Sequence, residues 1–389
     1  MTPIYLDHAS TTPLDPAVLE AMMPYLTRVH GNPSSLHAAG RTARKGIERA
    51  REQVAAVMGV RPRQLVFTSG ATEADNLAIR GLADKRPGRI VSSRLEHAAV
   101  LNTVMALAAA GRTVEFVPPD AAGAIRPEAL ERLTAAADQP LALVALMQVN
   151  NETGAITDVA AIARVAHRAG AVFVCDAVQA TGLEDVSLAA SGADVVTLSA
   201  HKINGPKGVG ALVRADGLEL EPQFAGGSQE RGLRPGTHAV SAIVGFGAAL
   251  ELAAERRQAH RAHLATVQAE LERACLSVPG VTLNAAGAAR GVKHSNFSVE
   301  GVDGESLLMA LDDAGVQVSA GSACAAGSLE PSHVLLAMGL SPARARASVR
   351  YSYGAQTTLA DVREAASSSA PSRSAAPDTG AGNVSRAAA

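Results

Sequence analysis

The sequence predicts an α/β protein in which a mostly parallel sheet carries helices on both faces and is joined to a smaller α+β domain. Two observations support this fold class. Short apolar runs alternate with amphipathic stretches over most of the chain, as in sheets whose parallel strands are joined by helices. After Ala239 this alternation gives way to one long helical stretch and several short strands. A chain of 389 residues has room for two packed domains.

The strands of the main sheet are expected at short apolar runs, which are Leu65–Phe67, Arg89–Val91, Thr113–Val117, Leu141–Val149, Ala171–Cys175 and Asp194–Leu198. Between them, Ile47, Ala50 and Val54 recur at helical spacing, and Leu130–Ala137 shows a similar pattern. The smaller domain is expected to contain strands near Val281–Leu283, Ser295–Val299, Val316–Val318 and Ala347–Tyr353.

The domain limits follow from these patterns. Residues 13–255 should form the large domain, and residues 1–12 and 256–363 the small one, with a helix over Val240–Leu276 bridging the two. From about residue 364 to 389 the chain is rich in Ser, Ala, Pro and Gly and has almost no large apolar side chain. Such a segment cannot bury enough surface to offset its ordering entropy, so we expect a disordered tail.

The overall composition excludes several classes of function. A net charge of −2 argues against nucleic acid or an anionic membrane as a partner, because both select basic surfaces. No signal-peptide pattern is visible, and no uncharged apolar stretch reaches the roughly 18 residues of a membrane span. Three scattered cysteines, Cys175, Cys275 and Cys324, fit neither a disulfide framework nor a metal site. We therefore expect a soluble, cytoplasmic protein without a metal.

One turn has the composition of a phosphate-binding site. The apolar run at Leu65–Phe67 leads into Thr68-Ser69-Gly70-Ala71-Thr72, and helical sequence follows. Free backbone N–H groups at a helix start bind phosphate well when small residues permit close approach. Taken alone, the same residues also fit an ordinary capped turn between a strand and a helix.

Two further strand ends supply an acid and an amine. Asp176 ends the run at Ala171–Cys175, and Lys202 follows the run at Asp194–Leu198. Because parallel strands place their carboxyl ends at one edge of a sheet, these side chains should meet there. Pyridoxal phosphate needs this pair: an amine for the Schiff base and a carboxylate facing the pyridine nitrogen. Either residue alone would more simply be a surface lysine or a helix cap.

Two other residues could take part in the same chemistry. His97 follows the strand at Arg89–Val91, where it could stack on a ring, transfer a proton or be merely structural. Cys324 lies among small residues in Ser319–Ser328, which favours a mobile loop. Ten extended residues could span about 30 Å, so such a loop could carry a thiol to the site. Cys175 and Cys275 lie in apolar or helical stretches and fit inert buried cysteines.

Taken together, these motifs resemble the cysteine desulfurases of the NifS/IscS group, which are fold-type-I pyridoxal-phosphate enzymes. The similar segments occur in the family's order over about residues 4 to 363, and they are Tyr5–Asp7, Ser10–Pro13, Gly31–His37, Thr68–Asn76, Asn150–Gly154, Asp176–Gln179, Ser199–Gly208, Gly226–Thr237, Ser319–Val334 and Val349–Ser352. One such motif would be weak, whereas the ordered set is specific.

The resemblance implies a role for each matching position. Lys202 would bind pyridoxal phosphate, Asp176 would face its ring nitrogen and His97 would stack on the ring. The remaining cofactor contacts would come from Ala71, Thr72, Asn151, Gln179, Ser199, His201 and, across a homodimer, Thr237. Arg350, with Asn151, would bind the carboxylate of the substrate L-cysteine. Cys324 would take the sulfur as a persulfide, and the product would be L-alanine.

The resemblance further implies that the sulfur passes to an iron–sulfur scaffold or another acceptor protein. Two departures from the family pattern stand out. Gly236-Thr237-His238-Ala239 replaces the usual Gly-Thr-Glu-Asn, and the C-terminal helix should end after about Ala366. A selenocysteine lyase or another pyridoxal-phosphate enzyme is the alternative on the same fold. A non-catalytic scaffold is the alternative of a different class.

Overall fold

The computed structural model describes residues 3–135, 139–320 and 330–368. In chain order the strands are β1 (Ile4–Tyr5), β2 (Leu65–Thr68), β3 (Arg89–Ser93), β4 (Val114–Val117), β5 (Leu141–Met147), β6 (Val172–Asp176), β7 (Val195–Ser199), β8 (Gly210–Arg214), β9 (Val281–Leu283), β10 (His294–Val299), β11 (Val316–Gln317) and β12 (Ser348–Ser352). The helices are α1 (Pro16–Thr27), α2 (Ala38–Met58), α3 (Ala71–Lys85), α4 (Ala98–Ala109), α5 (Pro127–Ala135), α6 (Val159–Arg168), α7 (Leu188–Ser191), α8 (Val240–Leu276), α9 (Gly304–Asp313), α10 (His333–Ala337), α11 (Pro342–Arg346) and α12 (Leu359–Ser368).

The main sheet has the strand order β2-β8-β7-β6-β5-β3-β4. Strand β8 is antiparallel to both of its neighbours, and the other pairs are parallel. Alternate side chains of each strand enter different cores. Leu65 and Phe67 pack with α1, α2 and α8, while Val66 packs with α3 and α4. The prediction of a mostly parallel sheet between two helical layers is therefore confirmed, although β8 was not predicted.

The second part of the fold contains a three-stranded antiparallel sheet, β12-β10-β9, and a parallel pair of β1 with β11. The long helix predicted over Val240–Leu276 is confirmed as α8. Toward its start it packs on α1 and α2, and toward its end it contributes Leu264, Val267 and Leu271 to the core of the smaller part. Even so, no helix in the described ranges has both the length and the apolarity to cross a membrane.

The start of the expected C-terminal tail needs correction. Helix α12 continues to Ser368, and Ala365 and Ala366 are buried in the core formed with α8. Alanine has the highest helix propensity and fits where two helices approach closely, so the scarcity of large side chains did not prevent packing here. The prediction of disorder over 364–389 is thus wrong for residues 364–368. The rest of that segment lies outside the described residues.

Candidate active site

A cavity of about 520 Å³ lies at the carboxyl edge of the main sheet. It is lined by the last residues of β5, β6 and β7 and by the first residues of α3. This is the edge where open parallel sheets bind their ligands. Nine of the residues singled out from the sequence meet there, namely Ala71, Thr72, His97, Asn151, Asp176, Gln179, Ser199, His201 and Lys202.

Lys202 occupies the short 3₁₀ turn that follows β7. Its Nζ donates hydrogen bonds to the carbonyl oxygens of Ala9, at 2.6 Å, and Ser10, at 2.7 Å. Burial, assisted by the charge of Arg350, lowers the pKa of this amine to about 8. A lysine with this pKa is about one-tenth neutral at pH 7, far more than an ordinary lysine, and nucleophilic and basic roles both require the neutral form.

Asp176 is buried at the end of β6, where one of its oxygens accepts a hydrogen bond from the Val178 N–H at 2.9 Å. Burial raises its pKa, and the charges of His97 and Lys202 oppose that effect. Asp75 and Glu96 are also buried. Their pKa values are raised well above the usual range, by burial and then by the charge of Asp176. We infer that Asp75 and Glu96 stay neutral, so that Asp176 holds the negative charge of this group.

The ring of His97 lines the cavity at the start of α4. Its Nδ1 accepts a hydrogen bond from the Ala99 N–H at 3.1 Å, so the proton of the neutral ring is on Nε2. Burial lowers the pKa of His97, while the carboxylate of Asp176 raises it. His97 therefore presents a mainly neutral ring with a fixed tautomer to the cavity.

The start of α3 forms the polar end of the cavity. Gly70, its N-terminal cap, has no side chain that could accept a hydrogen bond, which leaves first-turn N–H groups available for an anion. Gly210 of β8 passes close to this turn: a Cβ there would lie 2.5 Å from the carbonyl oxygen of Leu198 and 2.7 Å from the carbonyl carbon of Gly70. Lys207 also lines the cavity and adds a positive charge.

These residues fit pyridoxal phosphate. The cavity offers a lysine amine, a buried carboxylate for a cationic ring nitrogen, and a helix start for a phosphate. The amide oxygen of Asn151 is buried and has no hydrogen-bond partner among the described residues. An unsatisfied amide at a cavity wall is a feature that a polar ligand atom would complete.

Two of the predicted site residues that the structure describes, Arg350 and Thr237, do not line this cavity. Arg350 is buried on β12, where it donates to Asp7 Oδ1 at 2.7 Å, Ser10 Oγ at 2.8 Å and the Asn151 carbonyl oxygen at 2.8 Å. An internal carboxylate therefore holds the position expected for the substrate carboxylate. Thr237 is exposed outside the cavity. Cys324 lies outside the described residues.

Gln179 lines the cavity, but its amide is already engaged. It donates to the Ala9 carbonyl oxygen at 2.9 Å and accepts from His294 Nε2 at 3.2 Å. Four residues near the site were given no role from the sequence: Asp7, Asp75, Lys207 and Lys293. Asp75 and Lys207 lie within motifs that were recognised, and Asp75 is one helical turn after Ala71 on α3, so the spacing could have indicated it. Asp7 also ends a recognised segment, Tyr5–Asp7, whereas nothing in the sequence pattern indicates Lys293.

Comparisons with known proteins identify the family of this chain. The family described as Aminotransferase class-V matches residues 4–364. The cysteine desulfurase IscS of Methylococcus capsulatus is 42% identical over 366 residues, which cover 92% of this chain and 90% of that protein. A solved NifS-like protein has a TM-score of 0.87 at 33% identity, covering 94% of this chain and 98% of the other. The structure described as SspA in complex with cysteine has a TM-score of 0.79 at 36% identity, covering 90% of this chain and 98% of the other.

The chain therefore belongs to the class-V aminotransferase family. Within that family it is one of the cysteine desulfurases, as its high identity to IscS over almost the whole length shows. The resemblance to the NifS/IscS group inferred from the ordered motifs is confirmed, and so is the fold class.

Proposed function

We propose that this enzyme takes sulfur from L-cysteine, forming L-alanine and a persulfide on Cys324, with pyridoxal phosphate bound by Lys202. The observation that carries the proposal is the meeting of Lys202, Asp176 and the start of α3 in one cavity of about 520 Å³. The solved relative described as a complex with cysteine supports the choice of substrate. A selenocysteine lyase or a scaffold remains the alternative, but no contact in the described residues favours either.

The cofactor would be held by residues that already lie around the cavity. Lys202 would bind it covalently, Asp176 would pair with its ring nitrogen and His97 would stack on the ring. Its phosphate would contact the backbone of Ala71 and the side chains of a polar group, Thr72, Ser199 and His201, with Thr237 contributing from a partner subunit. Asn151 and Gln179 would contact the ring oxygen. When bound, this group acts as the sink for the electrons left when a proton leaves the substrate α-carbon.

Side chains of the protein would transfer the α-proton of the substrate and bind its carboxylate. With a pKa of about 8, Lys202 Nζ can accept the α-proton at neutral pH and return it later. The hydrogen bond that His97 Nδ1 accepts keeps the proton of the neutral ring on Nε2 and fixes the orientation of the ring. Arg350 would bind the substrate carboxylate in place of Asp7. In the structure, an oxygen of Asp7 lies 2.7 Å from the guanidinium.

The described residues on either side of Cys324 contact Arg350 and the neighbour of His97. On one side, Ser319 exchanges backbone hydrogen bonds with Arg350, at 2.7 and 3.2 Å. On the other, His333 Nε2 donates to the carbonyl oxygen of Glu96 at 2.9 Å, one residue before His97. Cys324 is the fifth residue after Ser319, so the chain between them could reach about 17 Å. These contacts of the flanking residues support Cys324 as the sulfur acceptor.

The sulfur transfer balances without an external oxidant. The Cys324 thiolate attacks the sulfur of the substrate, the S–S bond forms and the carbon–sulfur bond breaks. The electron pair of that bond passes to the carbon, which gains a proton and ends as the methyl group of alanine. Cysteine and one protein thiol thus give alanine and one persulfide. The sulfur is oxidised to the same extent as the carbon is reduced.

The persulfide would then be passed to an iron–sulfur scaffold or another acceptor protein. The relatives named IscS support a general sulfur-supply role by similarity. We also propose a cytoplasmic location, since a chain with three scattered cysteines suits a reducing compartment.

The direct test is the reaction of the purified enzyme, loaded with pyridoxal phosphate, with L-cysteine. We expect one alanine per enzyme-bound persulfide in a single turnover without a reductant, and repeated alanine release once a thiol reductant removes the persulfide. Peptide mapping should find the added sulfur on Cys324. A cofactor-loaded enzyme that releases no alanine from L-cysteine would contradict the proposed function.

We further propose that the chain forms a homodimer through α1. Leu19, Met23 and Leu26 recur at helical spacing on this helix and are exposed, and the nearby Leu36 is 83% exposed. Single apolar residues on a surface are common, but a row of them on one helix face indicates a partner. A dimer would also bring the exposed Thr237 to a neighbouring cofactor.

We expect Met23→Glu to convert the dimer to a monomer in sedimentation equilibrium, because it places a charge in the apolar row. Met309→Glu, on the exposed face of α9, is the matched control and should leave the dimer intact. An unchanged dimer in Met23→Glu, or dissociation of both variants, would show that α1 is not the specific interface.

A further inference from the structure

A second buried lysine lies beside the cofactor lysine. Lys293 immediately precedes β10 and is only 6% exposed. Its Nζ donates a hydrogen bond to the carbonyl oxygen of Lys202 at 3.1 Å, and its own carbonyl oxygen accepts from the Tyr353 N–H at 3.0 Å. The side chain therefore joins the small sheet to the turn that positions Lys202.

The charged groups that act on Lys293 are two cations, Lys202 and Arg350, and one carboxylate, Asp7. Among the described residues no carboxylate forms an ion pair with its Nζ. The titratable groups that interact with it come from several elements, and they are Lys202, Arg350, Asp7, His8, His201 and His294. Burial, followed by the charges of Lys202 and Arg350, lowers the pKa of Lys293 to about 7, with only Asp7 opposing. This amine therefore changes its charge near neutral pH.

Lys293 and Lys202 also share a small cavity, separate from the cofactor cavity, of about 50 Å³. Its other ionisable lining groups are Asp15, Arg256, His260 and Tyr353, of which Asp15 and Arg256 pair at 2.7 Å. A polar cavity of this size has room for water, which could exchange a proton with the Lys293 amine.

We propose that Lys293 is a positioning residue for Lys202: its ammonium holds the Lys202 carbonyl and, by charge repulsion, favours the neutral form of the Lys202 amine. A lysine beside another cation is a known way to activate an amine as nucleophile or base. The inference rests on the proposed function, since it assigns Lys293 to the lysine that would bind the cofactor. No bond is made or broken by Lys293; only its proton is gained or lost.

The two amines should titrate as a pair. Each charge disfavours the other by the same free energy, so a proton on one lowers the affinity of the other for protons. When the Lys202 nitrogen is neutral, Lys293 can hold a proton. When Lys202 accepts one, Lys293 releases its own to water in the shared cavity. The number of buried charges thus changes little while Lys202 gains and loses its proton.

The test compares Lys293→Met with Lys293→Gln, which keeps a hydrogen-bond donor but no charge. For both variants we expect the acidic limb of kcat/KM for L-cysteine to move up by about one pH unit. The rate at pH 6 would then fall about 10-fold, with little change at pH 9. The absorbance of the bound cofactor should titrate with a midpoint about one pH unit higher. Lys85→Met, at an exposed lysine paired with Glu221, is the matched control and should change neither value.

Thermal unfolding of the cofactor-free protein gives a readout that does not depend on activity. The pKa of Lys293 is lower in the folded chain than its ordinary value of 10.5, so the unfolded chain binds more protons between pH 7 and that value. The contribution of Lys293 to stability therefore rises with pH across this window. Both neutral variants should lose this rise and unfold about 3 °C or more above the wild type at pH 6.5.

The possible outcomes distinguish the proposed role of Lys293 from the proposed desulfurase function. A wild-type pH profile in Lys293→Gln would show that the hydrogen bond alone matters and would overturn the charge role, as would unchanged thermal and absorbance titrations. An enzyme inactive on L-cysteine whose variants still show the thermal and absorbance shifts would contradict the proposed function and leave the role of Lys293 intact.

Discussion

Replacing Lys202 with alanine should abolish desulfurase activity, reducing alanine release from L-cysteine by at least about 1,000-fold. The variant loses both the amine that binds the cofactor and the base with a pKa of about 8. Borohydride reduction of the loaded wild type should attach the cofactor to the peptide that contains Lys202. In Lys202→Ala the same treatment should attach none.

Lys85→Ala, which removes an exposed lysine from the end of α3, is the control for the loss of a lysine. It should keep wild-type activity and cofactor attachment. The removal of Lys202 also breaks its hydrogen bonds to Ala9 and Ser10, so circular dichroism must show that Lys202→Ala is folded. A folded variant that retained a tenth of the activity, or whose cofactor still became attached to the chain, would exclude Lys202 as the essential amine.

The second large effect is expected for Cys324→Ala. This variant should bind the cofactor with unchanged absorbance but form no persulfide. Its alanine release from L-cysteine should fall by about 100-fold or more, because no thiol takes the sulfur. The measurements are alanine yield and mass spectrometry of the chain after a single turnover. Absorbance and activity together separate loss of the acceptor from loss of the cofactor.

Cys275→Ala provides the matched control. Cys275 is buried on α8, and burial raises the pKa of its thiol to about 12, so it is almost entirely protonated at neutral pH. This variant should form persulfide as the wild type does. Persulfide loss in Cys275→Ala with full retention in Cys324→Ala would reverse the assignment.

Most of the fold could be predicted because local patterns determine it. The apolar run of β6 and the long amphipathic stretch of α8 contain their own periodicity and length. Strand β8 was missed because its short run follows a segment rich in Gly and Pro and pairs antiparallel in an otherwise parallel arrangement. The end of α12 was misplaced because the burial of Ala365 depends on a partner about a hundred residues away.

The residues of the site also include some that the sequence predicts and some that it does not. Asp176 and Lys202 could be located because each ends a strand at the same edge of the sheet. The pairing of Arg350 with Asp7 and the contact of Lys293 with Lys202 could not, since each joins residues far apart in sequence. Tertiary structure alone brings such pairs together: Asp7 lies beside β12, and the residue before β10 reaches the turn after β7. Neither pair leaves a periodic signal along the chain.

Helix α8 determines how the two parts of the enzyme are aligned. It is a single helix of 37 residues, about 55 Å long, whose ends pack in different cores. Inserting one residue near its middle would rotate the far end by about 100° and advance it by about 1.5 Å. Arg350 and Lys293, which belong to the far part, would then lose their alignment with Asn151 and Lys202. The length of α8 is therefore as much a condition for the chemistry as the identity of any residue in the cavity.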